Sequence, residues 1–226
     1  MPGPNTAWGE VCVPTLDEIA AQVNRCKLCK LGQGNARGVP GEGNPNADIL
    51  MVGEAPGFYE DQQGRPFVGA AGQFLNELLG VAGLTRNEVF ITNVVKHRPP
   101  GNRDPEPDEL EGCDAYLRAQ IEAINPEVIV TLGRFSLAKF IPNVRAMRDV
   151  HGRALPYENR IICAMYHPAA ALHQASLRSV LEQDFRSLPM IVAKAKARVA
   201  AAVPAGDALP TPSAEEPPSA QQMSLF

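Results

Sequence analysis

Four short runs of branched apolar residues constrain this chain most. They lie at 48–53, 89–95, 127–132 and 160–166, each rich in Val and Ile. Helix-period patterns separate them at 70–82, 107–124 and 135–141. Strands that read apolar throughout are buried on both faces, and alternation with helices sets them parallel and side by side. The expected fold class is α/β, with a central, mostly parallel four-stranded sheet and helices on both faces. The segment 153–166 can also close as a hairpin turning at Glu158-Asn159, which would add an antiparallel strand beside the last.

The ends of the chain read differently from its middle. Thr15 and Glu18 have capping-box spacing, and Leu16, Ile19, Ala20 and Val23 form an apolar stripe, so a first helix starts there. Residues 32–46 are rich in Gly, Pro and Asn and read as a loop. A last helix is expected over about 174–200, with Pro189 kinking it or beginning a new one. Residues 201–221 are dominated by Ala, Pro, Ser and Glu and read as disordered. The expected organisation is one domain over 1–200 and a tail over 201–226.

The 226 residues suffice for one α/β domain with a full core. No apolar run approaches a membrane span. The N-terminus MPGPNTAWGEV has neither the basic region nor the apolar core of a secretory signal, so a cytoplasmic monomer is expected. Net charge is −4, which taken alone disfavours nucleic acid. Three of the 25 acidic residues fall in 207–226, however, where there is no Lys or Arg. The remainder is close to neutral and can still present one basic face. The five cysteines, Cys12, Cys26, Cys29, Cys113 and Cys163, argue against a disulfide framework. The pair Cys26-Lys27-Leu28-Cys29 instead looks like half of a metal or cluster site.

Chemistry-bearing residues fall at strand ends. Gly53-Glu54-Ala55-Pro56-Gly57 follows the first strand and leads to Pro66-Phe67-Val68-Gly69. Asn93 closes the second strand, and His167 follows the fourth in Tyr166-His167-Pro168. In a parallel sheet the carboxyl ends share one edge, where ligands bind. Phe67 offers a π-face to a nucleobase. The Asn93 amide can donate to one carbonyl and accept from one ring N–H, the pattern of the uracil edge. His167 can donate to a ring oxygen. Glu54 can orient water or offset positive charge developing on a sugar. Taken singly, each has an ordinary reading, as core, turn, loop or cap. Their gathering at strand ends favours a site.

The ordered set GEAPG, GRPFVGAAG, ITNVVK-x-RPPGNR-x-P and HP resembles the family 4 uracil-DNA glycosylases, over roughly residues 20–190. The resemblance implies a three-layer α/β/α sandwich and a DNA-repair hydrolase of base excision repair. Its reaction is hydrolysis of the N-glycosidic bond of uracil in DNA after base flipping. It implies Glu54 and His167 as catalytic residues, the first at water and the sugar cation, the second at O2 of the departing base. Phe67 would stack on the base within a pocket that includes Gly53, and Asn93 would read its edge. Glu60 matches a second carboxylate of the first motif, with either a place near C5 of the base or only that of a solvated loop charge.

The resemblance also implies a [4Fe-4S] cluster, on Cys26, Cys29 and Cys113. His97 stands where the family has a fourth Cys. A Cys₃His set can hold a cluster and is also a normal structural zinc set, so zinc stands as the alternative. Cys12 or Cys163 could also serve as the fourth ligand. Uracil-DNA glycosylases of family X trap product covalently through a His on a Lys/Arg-rich insertion. Residues 98–103 here lack that insertion, so turnover without a covalent adduct is expected. Lys96, Arg98 and Arg103 lie in a segment free of acids and are candidate phosphate contacts, and Leu172 is a candidate wedge. The terminal Gln222-Met223-Ser224-Leu225-Phe226 resembles the Gln-x-x-Leu-Phe peptide that docks on the replication sliding clamp, with Gln222, Leu225 and Phe226 as anchors. Two competing readings are a cluster-bearing nucleic-acid-binding module without catalysis and a zinc-stabilised nucleotide-binding protein.

Overall fold

The structure is a computed structural model that describes residues 13–34, 36–144 and 146–202. The tail peptide at 222–226 and Cys12 lie outside the described residues.

The chain begins with α1 (Leu16–Asn24), and the Thr15–Glu18 capping box is present in both directions. A four-residue helix α2 (Lys30–Gln33) and a two-residue strand β1 (Glu42–Gly43) follow. Then come β2 (Ile49–Gly53), α3 (Phe58–Gln63), α4 (Ala70–Val81) and β3 (Phe90–Asn93). The second half holds α5 (Pro107–Ile124), β4 (Val128–Leu132), α6 (Arg134–Phe140), β5 (Ala154–Tyr157), β6 (Arg160–Met165), α7 (Pro168–His173) and α8 (Ser176–Ala202).

The strands form one sheet in the order β1-β3-β2-β4-β6-β5. The inner four are parallel to one another, and both edges are antiparallel. The sheet thus has six strands rather than the four expected. The four apolar runs supply the parallel core. The edges escape periodicity because β1 is two residues within a Gly/Pro segment. Strand β5 carries Pro156 and is half exposed, as suits an edge. The hairpin at Glu158-Asn159 is present, with Tyr157 opposite Arg160 and Glu158 at φ 50°. No new helix begins at Pro189. Leu181, Phe185, Leu188 and Ile191 bury into one core on either side of it, which carries α8 through the missing backbone donor.

Alternation along the strands explains the layers. Ile49 and Met51 point to one face, with Ile91, Val128, Val130, Cys163 and Met165. Phe74, Leu75, Leu78 and Leu79 of α4 and Leu181, Phe185 and Leu188 of α8 pack there. Leu50, Val52, Ile129, Ile162 and Ala164 point the other way, against Leu117 and Ile124 of α5 and Leu137 and Phe140 of α6. Every residue of β2, β3 and β4 is buried because each face has its own helices, which is the α/β/α sandwich. Among the described residues no helix is long and apolar enough to cross a membrane.

Candidate active site

The parallel register brings Gly53 and Asn93 side by side at the carboxyl ends of β2 and β3. Glycine is required at 53. A Cβ there would overlap Oδ1 of Asn93 and lie 2.6 Å from Cζ of Phe67. The Asn93 amide and the Phe67 ring therefore close over the strand end. Phe67 itself sits in the left-handed region, at φ 51°, where a bulky side chain is strained. Two features hold it. The Arg86 guanidinium donates to the carbonyls of Pro66 at 2.8 Å and Phe67 at 3.2 Å. Gly72, in the first turn of α4, leaves room for the Phe67 carbonyl, which a Cβ would strike. Arg86 is in turn paired with Glu42, which also binds Arg65.

His167 caps α7. Its Nδ1 accepts the Ala169 N–H at 3.1 Å. With Nδ1 accepting, the neutral ring carries its proton on Nε2. Burial pushes the imidazole down to about 4, against a small opposing effect of the Glu60 charge, so the ring is neutral at physiological pH. It lies stacked with Phe67, ring centroids 5.5 Å apart and planes 26° apart.

Asn93 is 1% exposed, and its Oδ1 has no hydrogen-bond partner. A buried acceptor left unpaired is costly unless a ligand supplies the donor. Glu54 is partly buried. Burial first, and the Asp104 charge second, push its carboxyl up to about 7, with Arg134 opposing. Glu60 is no solvated loop charge. Its Oε1 accepts the N–H groups of Val68 and Gly69, both at 2.9 Å, and so braces α3 against the turn that carries Phe67.

Glu54, Glu60, Phe67, Asn93 and His167 all line one cavity of about 530 Å³. The sequence reading missed Phe58, Tyr59 and Asn102, which line it too. Two adjacent aromatics in an otherwise polar stretch were a usable signal for the first pair. Arg86 gave none, because its partners lie 10 to 44 positions away.

The basic residues fare unequally. Lys96 is wholly buried, and its Nζ donates to Thr92 Oγ1, the Asn93 carbonyl and Gln120 Oε1, each at 2.7 Å. It cannot meet a phosphate, which corrects the expectation from its neighbours in sequence. Arg103 lines the cavity but is paired with Glu109 at 2.7 Å and Glu106 at 3.3 Å. Arg98 has no carboxylate partner among the described residues; its Nε donates to Asn102 Oδ1 at 2.7 Å. Leu172 on α7 is 50% exposed.

Cys26, Cys29, His97 and Cys113 are all buried. The Cys26 and Cys113 sulfurs accept the N–H groups of Leu28 at 3.5 Å and Lys96 at 3.4 Å. Burial raises the Cys113 thiol, with the Cys29 and Cys26 charges adding to it, so the three thiols lie within electrostatic reach of one another. A Cβ on Gly32 would touch the Cys26 carbonyl and lie 3.5 Å from Cε1 of His97, which places the imidazole against the Cys26 turn. His97 Nδ1 is buried without a partner. Among the described residues no three His, Cys, Asp or Glu side chains are placed to hold one metal ion. Cys163 belongs to a different neighbourhood, in β6 within the core under α4 and α8.

A model of the Uracil DNA glycosylase superfamily matches residues 40–188. A Type-4 uracil-DNA glycosylase of Sulfurisphaera tokodaii is 48% identical over 183 residues, covering 77% of this chain and 83% of that protein. The chain belongs to the type-4 uracil-DNA glycosylase family. Type-4 uracil-DNA glycosylases of Saccharolobus solfataricus and Archaeoglobus fulgidus are each 46% identical, over 76% and 80% of this chain and 84% and 94% of their own lengths. Within the family match lie all six cavity residues named from the sequence, Arg103 included.

Proposed function

We propose that the protein excises uracil from DNA, hydrolysing the N-glycosidic bond of an extruded deoxyuridine to leave an abasic site. The observation that carries this reading is the buried, unpartnered Asn93 Oδ1 in a cavity beside a neutral imidazole. Uracil N3–H supplies the missing donor, and uracil O4 accepts from the same amide. Cytosine presents the reverse pattern and leaves two buried groups unpaired.

Extrusion of the nucleotide costs a few kcal/mol. The base then stacks on Phe67. As the C1′–N1 bond breaks, its electron pair leaves with the base, and negative charge grows on O2. His167, held with Nε2–H available, donates to that oxygen without giving up its proton. The Glu54 carboxylate faces the sugar side, offsets the oxocarbenium charge and takes a proton from the water that adds to C1′. Glu60 acts by bracing the Phe67 turn. Arg98 meets a DNA phosphate, and the exposed Leu172 enters the stack.

Cys26, Cys29, Cys113 and His97 fit an iron–sulfur cluster. A single zinc needs four donors about 2.0–2.3 Å from one point, and the described residues show no such convergence. A four-iron cluster asks each ligand only for its own iron, and a His can replace a thiolate. Such a group would tie the segment after α1 to α5 and the 97–103 loop. Product is released free, since His97 is 3% exposed and does not line the cavity. The C-terminal Gln222, Leu225 and Phe226 dock on a sliding clamp, an interaction lost on deletion of 222–226.

The test is excision from a uracil-containing oligonucleotide with the visible spectrum and metal content of the same preparation. Glu54→Ala and His167→Ala each lower single-turnover excision at least about 100-fold. Near-normal rates in both overturn the assignment. A denaturation-resistant protein–DNA species overturns free release, and colourless, zinc-containing protein overturns the cluster.

A further inference from the structure

Two side chains at the cavity are left unused by this chemistry. Phe58 and Tyr59 line it, yet are 47% and 57% exposed. They open α3, a helix that buries none of its residues, and neither joins either apolar core. Their rings meet edge to face, with centroids 5.4 Å apart. Large aromatics held in water at the lip of a site mark a surface that something covers.

The charge beside them says what. The Arg98 guanidinium lies over the Phe58 ring, 5.1 Å from its centroid, and is oriented by Asn102. Two other arginines of this region are neutralised: Arg103 by Glu109 and Glu106, Arg134 by Asp104. Arg98 is not. The lip of the cavity therefore presents two aromatic faces and one oriented, uncompensated cation. Stacking surfaces beside a free guanidinium take single-stranded nucleic acid, the bases on the rings and a phosphate on the cation.

We propose that Phe58, Tyr59 and Arg98 form a binding site for the unpaired nucleotide adjoining the target uracil, its base stacked on one ring of the edge-to-face pair with the other ring at its edge, and its phosphate held by Arg98. Its placement relative to the uracil rests on the uracil-excision reading. A neighbouring base in a duplex is already stacked and paired, so this site favours single-stranded substrate.

The test is a cycle across protein and DNA, using the whole chain in a Glu54→Ala background. Fluorescence anisotropy measures Kd for a short single strand carrying one uracil, intact or with an abasic spacer on its 5′ or 3′ side. With both aromatics present, one of the two spacers weakens binding about tenfold. In the Phe58→Ala/Tyr59→Ala variant the intact strand already binds about tenfold more weakly, and the same spacer adds less than about twofold. Arg98→Ala lowers the slope of log K against log salt by about one. Equal spacer penalties with and without the aromatics overturn the proposal. Wild-type excision on the same strand is scored separately. No excision with the spacer effect intact sinks the uracil reading and keeps the stacking site; excision with additive penalties sinks the stacking site alone. Phe58 and Tyr59 are at exposed positions, and melting temperatures unchanged from the Glu54→Ala parent confirm intact folding.

Discussion

Nζ of Lys96 donates to the backbone carbonyl of Asn93 at 2.7 Å, with both residues shut off from solvent. The same Nζ binds Thr92 Oγ1 and Gln120 Oε1, and Gln120 reaches across to the Pro40 carbonyl at 2.6 Å. The backbone N–H of Lys96 meets the sulfur of Cys113. One residue thus joins the Asn93 end of β3 to the thiol site. Lys96→Met removes all three donors and leaves their acceptors buried. The expected loss is about 2–4 kcal/mol of stability, read by denaturant unfolding, together with slower excision as Asn93 loses its anchor.

Gly53 tests the close packing at the strand end. Gly53→Ala puts a methyl into the Asn93 amide and the Phe67 ring. Excision is expected to fall about 100-fold, while far-ultraviolet circular dichroism stays unchanged. A variant within a few-fold of wild type would show that the two side chains can part without consequence.

Arg86 reports on the strained Phe67 turn. Without its two bonds to the Pro66 and Phe67 carbonyls, the left-handed conformation at 67 is left to Gly72 packing and the Glu60 bonds to the Val68 and Gly69 N–H groups. Arg86→Ala should lower excision about tenfold and stability by about 1–3 kcal/mol. The measurement is single-turnover kinetics beside thermal melting.

Glu54 sets the pH dependence. Its carboxyl is raised to about 7, and in the proposed mechanism the carboxylate is the active form, so excision should climb with pH through about 7 and then level. Sign follows for stability as well. The folded state holds the proton more tightly than the unfolded state, so Glu54 destabilises the fold above its folded pKa, and the penalty fades as pH falls from about 7 toward the unfolded value. Glu54→Gln should raise Tm by about 2–4 °C at pH 8 and by less at pH 5. An unchanged Tm at pH 8 contradicts the burial argument.

His97 separates the cluster from a plain core histidine. His97→Ala should lower iron per protein and the visible absorbance, and His97→Cys should restore both. Equal iron in all three proteins would remove His97 from the ligand set.

Much of the site was legible in the sequence. Glu54, Asn93 and His167 each stand at a strand end, and strand ends in a parallel sheet converge; Phe67 follows in the loop that leaves the first of them. The four parallel strands were legible for the same reason, since burial on both faces leaves a continuous apolar run. Phe58 and Tyr59 carried a signal as adjacent aromatics in a polar stretch, but only the fold set them at the cavity beside Arg98.

The sequence by itself determined the sandwich, the reactive edge and the side chains gathered there, because periodicity and strand ends are local properties of the chain. Only the tertiary structure decided what the basic residues do and how the pocket is held. Lys96 and Arg98 are two positions apart, yet one is sealed beneath Asn93 and the other stands over Phe58. The Arg86 bonds to the Phe67 turn and the bracing by Glu60 likewise join residues distant along the chain. Such contacts depend on which surfaces the fold brings together, and no local pattern encodes them.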